Sequence, residues 1–308
     1  MSAAIDAQGA LSSKLPFWQT ISLSYSFYFR HLADALRISW VWLLIFIPLT
    51  GATTWLQISW FAQAIANMTP GKPPSPPAIP IEMTILADCT SLVMFLAGCS
   101  IAVAWHRLLL LDEHPGLSGS NIVSPSLWRY VGMGLAILLL TGLPVVAVFA
   151  LVSFWAHPIA ATNAAISNPA IFILIPTAYL AVCIVVLRLC LLLPARAVGD
   201  TSLTFKEMWR MTQGNAWRIF WGIAACSLPP LLVAQIALPI SIGTPNPARL
   251  MNGAIAGPWI AFSAIFSGYY LLTLPIFVGF LSHAYLFFRR ADRGSEPLSR
   301  LALLRPDR

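Results

Sequence analysis

The chain has 308 residues, 58% of them hydrophobic and only 9% charged, with a formal net charge of +7. Roughly 25% of an average soluble domain is charged, so this chain lacks the polar surface that two soluble domains of the same total length would need, and its long uncharged runs point to lipid as the medium. The basic excess flanks apolar runs instead of gathering into a nucleic-acid patch, which assigns it to membrane orientation and contact with anionic lipid.

Taken in chain order, residues 1–14 are small, polar and aperiodic, and are expected to be disordered. No charged start, apolar core and small-residue cleavage site occurs in the first 37 residues, so a cleaved secretory signal is not expected. From Leu15 to Arg30, Phe17, Trp18, Ile21, Tyr25, Tyr28 and Phe29 gather on one side of a helix and Gln19, Ser22 and Ser26 on the other. That pattern predicts an interfacial helix anchored by Phe17 and Trp18.

The first span is expected at 38–60, uncharged and long enough to cross roughly 30 Å of hydrocarbon at about 1.5 Å per residue, with Trp40, Trp42, Trp55 and Trp60 marking its ends. The proline-rich stretch Asn67–Pro80 predicts an extended exposed loop. A second span at 83–111 carries Asp88 near its outer end and Trp105-His106-Arg107 near its inner one. Ser124-Pro125 is a helix start, a capping side chain followed by proline at the first helical position. The uncharged run between Arg129 and Arg188 is divided by the loop residues Ala156–Pro169 into spans at 130–155 and 169–193. Spans five and six are expected at 217–242 and 259–288, separated by the turn-rich Gly243–Pro247, and 291–308 form a flexible basic tail. The predicted fold is therefore all-α: a polytopic membrane domain over 15–290, with six transmembrane helices arranged as three hairpins and carrying interfacial amphipathic helices.

The stretch from Leu193 to Trp221 joins the fourth and fifth spans. Thr204-Phe205-Lys206-Glu207 reads as a capping box, so a short helix begins there. Phe205, Met208, Trp209 and Thr212 are predicted on one face and Lys206, Arg210 and Gln213 on the other, as in a helix lying among headgroups. Gly214 ends it and Asn215 caps the next helix, whose first residues include the interfacial anchor Trp217.

Lys14, Arg30, Arg37, Arg107, Arg129, Arg196, Lys206, Arg210, Arg218 and the tail arginines fall on one side of the predicted topology, against Lys72 and Arg249 on the other. By the positive-inside rule both termini are expected in the cytoplasm, with Arg188 snorkelling to the same side. The odd spans open with similar text, Leu36-Arg37-Ile38-Ser39-Trp40, Trp128-Arg129-Tyr130 and Trp217-Arg218-Ile219, and each carries a later proline, Pro48, Pro144 or Pro229. With the related exits at Trp105–Leu111 and Leu187–Leu193, this suggests a repeated hairpin.

Arg188-Leu-Cys-Leu-Leu-Leu-Pro194-Ala195, together with Phe205-Lys-Glu207-Met-Trp209-Arg-Met-Thr212-Gln-Gly214-Asn215-Ala-Trp217-Arg218, resembles the signature of the bacterial six-helix membrane domain fused to glycerophosphodiester phosphodiesterases, and of its stand-alone relatives. The resemblance covers mainly spans four and five and their connector. It implies a bacterial inner-membrane protein tied to envelope or lipid metabolism. The hydrolase domain of the fused proteins has no counterpart in this sequence, so their phosphodiesterase activity is not implied.

Few residues suggest chemistry. His106 with Asp112, Glu113 and His114 is the one acid-and-histidine cluster, but side chains at successive positions splay around the backbone, and a solvated span end accounts for them. Asp88 is read as an outer headgroup residue. The five cysteines, Cys89, Cys99, Cys183, Cys190 and Cys226, show no ligand spacing and read as packing residues. Neither a catalytic residue, a metal site nor a cofactor is expected. Arg107, Arg188, Arg210 and Arg218 are the candidate site, a cytoplasmic set whose guanidinium forks match lipid phosphate oxygens. The expectation is a non-enzymatic inner-membrane protein that contacts membrane lipids, anionic ones included, or recruits a protein partner through its connectors, with no nucleic acid. A small-solute transporter or lipid translocator is the alternative, the mid-span prolines Pro48, Pro144, Pro176, Pro229, Pro230 and Pro275 then acting as hinges. A lipid-processing enzyme ranks third.

Overall fold

The computed structural model describes residues 14–66, 78–114, 124–160, 169–242 and 256–293. The expectations for 1–13, most of the proline-rich loop and of 156–169, Gly243–Pro247 and the tail beyond 293 fall outside these residues. The described chain forms α1 (Phe17–Arg30), α2 (Leu32–Ala66), α3 (Ile81–Leu111), α4 (Pro125–Ala160), α5 (Pro169–Leu189), α6 (Leu192–Ala197), α7 (Phe205–Met211), α8 (Ala216–Ile242) and α9 (Ala256–Arg293). Six of these contain stretches long and apolar enough to cross a membrane, which makes the chain a multi-pass, all-α membrane protein. The apolar window of α9 is 61% buried, against 17–39% for the other five, so α9 is the most enclosed span.

Boundaries follow local chemistry. The Ser124 hydroxyl accepts from the Leu127 amide and α4 begins at Pro125, as the sequence indicates. The helix of the fourth span breaks within its apolar stretch, which runs from Leu180 to Ala197. Pro194 has no amide to offer the Cys190 carbonyl and its ring crowds that position, so the helix stops at Leu189 and restarts as α6. Conversely, α2 begins well before 38: the Ala35 amide bonds the His31 carbonyl and the His31 amide bonds that of Phe27, so α1 and α2 are interrupted only at His31.

The chain divides into two compact units, one of Met1–Leu23, Trp128–Ile223 and Phe280–Arg308, the other of Ser24–Leu127 and Ala224–Gly279. In the second unit α2 and α3 pack against each other, and the Trp60 indole donates to the Ala78 carbonyl beside their far ends. Two adjacent threonines tie α2 to different neighbours. Thr53 shares a hydrogen bond with Thr90 of α3 (2.8 Å) and Thr54 one with Ser263 of α9 (2.9 Å); such bonds between membrane helices contribute about 0.6–2 kcal/mol each. Ile38, Ile101, Val103 and Trp105 are fully buried here.

The double proline of α8 leaves a specific deficit in the same unit. Pro229 and Pro230 cannot donate to the carbonyls four residues earlier, those of Ala225 and Cys226. The Tyr25 hydroxyl of α1 reaches both, at 3.1 and 3.5 Å. One phenol thus serves both carbonyls.

In the first unit Leu15, Leu191, Leu192, Leu203, Met208, Ile219 and Phe280 form the core, all at most 1% exposed. A Cβ on Gly222 of α8 would lie 2.0 Å from the Phe280 ring, so glycine there is required by the ring's position.

Tyr25→Phe strands the two carbonyls and lowers unfolding stability in detergent by about 1–3 kcal/mol. In a Pro229→Ala/Pro230→Ala background, where amide donors return, the same change costs much less. Gly222→Ala destabilises by about 1–3 kcal/mol through overpacking, while Gly132→Ala, where a Cβ meets nothing within 4 Å, leaves the melting temperature unchanged or raises it.

Candidate functional site: the basic connector

The connector between α5 and α8 is built by local signals and held by distant ones. Thr204 caps α7 in a complete capping box: its hydroxyl accepts from the Glu207 amide and the Glu207 carboxylate accepts from the Thr204 amide at 2.8 Å. Gly199 (φ +80°) and Gly214 (φ +75°) supply the left-handed turns after α6 and α7. At the first of these the Asp200 amide reaches back to the Ala195 carbonyl at 2.8 Å.

The inward face of α7 differs from the one hydrophobicity suggests. Met208, Met211, Thr212 and Asn215 are buried, whereas Phe205 and Trp209 are 39% and 43% exposed. Met208, expected as an interfacial anchor, is therefore a core residue. It sits a turn from Thr212, whose hydroxyl donates to its carbonyl at 2.8 Å and so enters the core without an unmet donor. The other expected anchors are placed at or near the surface: Trp18 is 77% and Trp217 53% exposed, and Phe17 is half-buried.

The four candidate arginines have separate internal partners. Arg188 is 8% exposed and does not snorkel outward. Its guanidinium lies 3.6 Å from the centre of the Trp209 ring and donates to the Thr212 hydroxyl (2.9 Å) and the Trp209 carbonyl, closing the C-terminal end of α7. Arg210 pairs with Asp292 at 3.5 Å while remaining largely exposed. Arg218 donates to the Leu15 carbonyl at 2.6 Å. Arg107, in the other unit, makes a two-pronged bond to Glu113 at 2.8 and 3.0 Å. Within the first unit, Arg188, Arg210 and Arg218 thus point to three different partners.

Three constellations escaped sequence reasoning. Leu15, fully buried, is held at both backbone groups, its amide by the Asn215 side chain (2.9 Å) and its carbonyl by Arg218. Asp200 is a second hub: one oxygen accepts from Tyr285 (2.9 Å) and Arg289, the other from the Ser202 amide and hydroxyl. Arg196 braces the same turn through the Asp200 and Leu203 carbonyls. The third lies in the other unit, where Asp34 meets His31 (3.1 Å), His114 (3.7 Å) and Arg37 (3.7 Å), with His31 stacked on Phe27. His114 thus joins Asp34 rather than the neighbours it has in sequence, and His106 is fully buried. Asp88 is exposed. Among the described residues no group of three or more His, Cys, Asp and Glu is arranged to hold a metal ion.

Burial favours the protonated form of Asp200, but the hydrogen bonds from Ser202 and Tyr285 and the charge of Arg289 outweigh it and hold the carboxyl below its usual range. Glu207 is also lowered, first by the Thr204 amide and then by its hydroxyl. A carboxylate lowered in the folded state contributes stability above its unfolded pKa and loses it as pH falls through the folded one. Acidification from about pH 4 downward should therefore loosen 200–211, seen as faster amide hydrogen exchange there. Asp200→Asn should remove most of that pH dependence.

No protein-family model, no curated protein and no solved structure matches this chain.

Proposed function

We propose that this chain is a lipid-contacting component of the bacterial inner membrane, with no catalytic step of its own, whose basic connector engages anionic headgroups on the cytoplasmic side. The observation that carries the reading is the outer surface of the first unit. Trp18, Trp209, Trp217 and Trp221 are 43–77% exposed there, and Lys206 and Arg210 are exposed beside Phe205 and Trp209 in sequence. Amphipathic indoles with cations alternating among them suit the headgroup level of a bilayer. The resemblance of 188–218 to the membrane domain of glycerophosphodiester phosphodiesterases supports an inner-membrane setting near lipid metabolism. In this reading Arg210 and Lys206 meet phosphate directly, whereas Arg188 and Arg218 act as positioning residues that hold α7 and the start of α8 in place. Recruitment of a protein partner by the same surface is the competing outcome.

Native mass spectrometry of protein extracted with its lipids tests this. Lys206→Ala/Arg210→Ala is expected to lose anionic phospholipid several-fold relative to zwitterionic lipid, with the fold intact by circular dichroism. If that variant and Arg107→Ala/Arg188→Ala both kept the wild-type lipid complement, headgroup recognition by these cations would be wrong. A protease-accessible tag at either terminus on the outside of intact cells would overturn the orientation.

A further inference from the structure

Between α8 and α9, within the second unit, lies a cleft of about 250 Å³. Pro230 and Leu231 form one wall, and Phe266, Tyr269, Tyr270 and Phe277 the other. No charged side chain lines it. Leu231 and Tyr270 each stand roughly 15 Å or more from both ends of their helices at about 1.5 Å per residue, so the cleft lies deep within the spans and faces hydrocarbon. Its rim continues the outward faces of the two helices, where Leu228, Leu231, Leu232, Val233 and Ile236 of α8 and Ile265 and Tyr270 of α9 are 44–70% exposed.

We infer that this cleft is a seat for a single acyl chain of a bilayer phospholipid. Four points combine to favour that occupant. The medium in front of the cleft is lipid tails, and a void lined mainly by apolar groups on a lipid-facing surface forfeits dispersion contacts unless a tail fills it. The volume falls below the roughly 300–1,000 Å³ of a site that encloses a whole drug-sized molecule, which suits one chain segment, and the uncharged lining offers a phosphate headgroup no counter-ion. The hydroxyl of Thr273 in its lining is turned to the Tyr269 and Tyr270 carbonyls of its own helix, leaving the chain an apolar contact. Finally, the wall at Pro230 is fixed: Tyr25 holds the two carbonyls that the proline pair leaves open, so the cleft is pre-formed. This goes beyond headgroup recognition by the connector, since the seat depends on none of the cationic residues.

Reconstitution into phosphatidylethanolamine and phosphatidylglycerol vesicles, doped with a phosphatidylcholine bearing a mid-chain diazirine, tests the seat by crosslinking and peptide mapping. Crosslinks are expected on 227–231 and 266–277 several-fold above those on the open lipid-facing stretch 138–143 of α4. Leu231→Trp and, independently, Tyr270→Trp fill the cleft and should reduce that excess at least several-fold, while Leu139→Trp leaves it unchanged. Equal labelling of the cleft and of 138–143 in the wild-type protein would mean bulk lipid only and overturn the inference. So would labelling by a free diazirine fatty acid but not by the phospholipid. Because Lys206→Ala/Arg210→Ala leaves the cleft intact, its crosslinks should persist even where retained anionic lipid falls, so either reading can fail without the other.

Discussion

A polar group facing hydrocarbon has no solvent to bond to, and several hydroxyls on the spans of this protein are placed accordingly. The hydroxyls of Thr50, Thr141, Ser267 and Thr273 are bonded to carbonyls one turn back along their own helices. Thr53 does the same and also reaches another helix. Where a proline pair removes two donors, a phenol from another helix replaces them. Here one residue reaches both carbonyls and so bridges α1 to α8 at the proline pair.

The same constraint disposes of the charges. A cation in a poorly solvated place is tolerated when a partner and hydrogen bonds surround it. Arg188 has a ring face, a hydroxyl and a helix-terminal carbonyl, and Arg289 has Asp200 and Ser202. The planar fork of arginine suits these multiple-acceptor positions better than an ammonium would. Asp200 in turn ties the turn after α6 to Tyr285 and Arg289 of α9, and Asn215 with Arg218 ties the start of α8 to Leu15. The connector is therefore a polar knot that fixes chain segments far apart in sequence, as well as a surface that presents cations.

Signals completed within four residues were legible in the sequence. The Thr204–Glu207 box, the Ser124-Pro125 start and the turn at Gly214 stand where the residues indicate, because their bonds close locally. The six spans were legible because length and apolarity suffice to define them. The inward face of a seven-residue helix was not. Hydrophobicity groups Phe205 and Trp209 with Met208, whereas packing selects Met208, Met211, Thr212 and Asn215, two of them polar and satisfied by partners elsewhere. Asp34 with His114 was equally hidden, since eighty residues separate them and neither spacing nor composition marks the pair.

Tryptophan shows most sharply what sequence could not sort. Trp40 and Trp42 sit two residues apart at one span end, yet the first is 46% and the second 5% exposed. Trp105 is fully buried against Phe27 and Tyr28, in space that Gly279 leaves open 3.4 Å from its indole nitrogen. Trp209 belongs to both classes at once: part of it is exposed while its ring lies against the Arg188 guanidinium. A ring whose face carries a cation presents the remaining surface, and not the charge, to whatever approaches. Trp209, Lys206 and Arg210 are thus exposed at this surface with Arg188 behind the ring, and Arg107 and Arg188, which stand at related span exits in the sequence, do two different jobs. Arg107 pairs with Glu113 at a span exit, whereas Arg188 is a buried pin that closes the C-terminal end of α7.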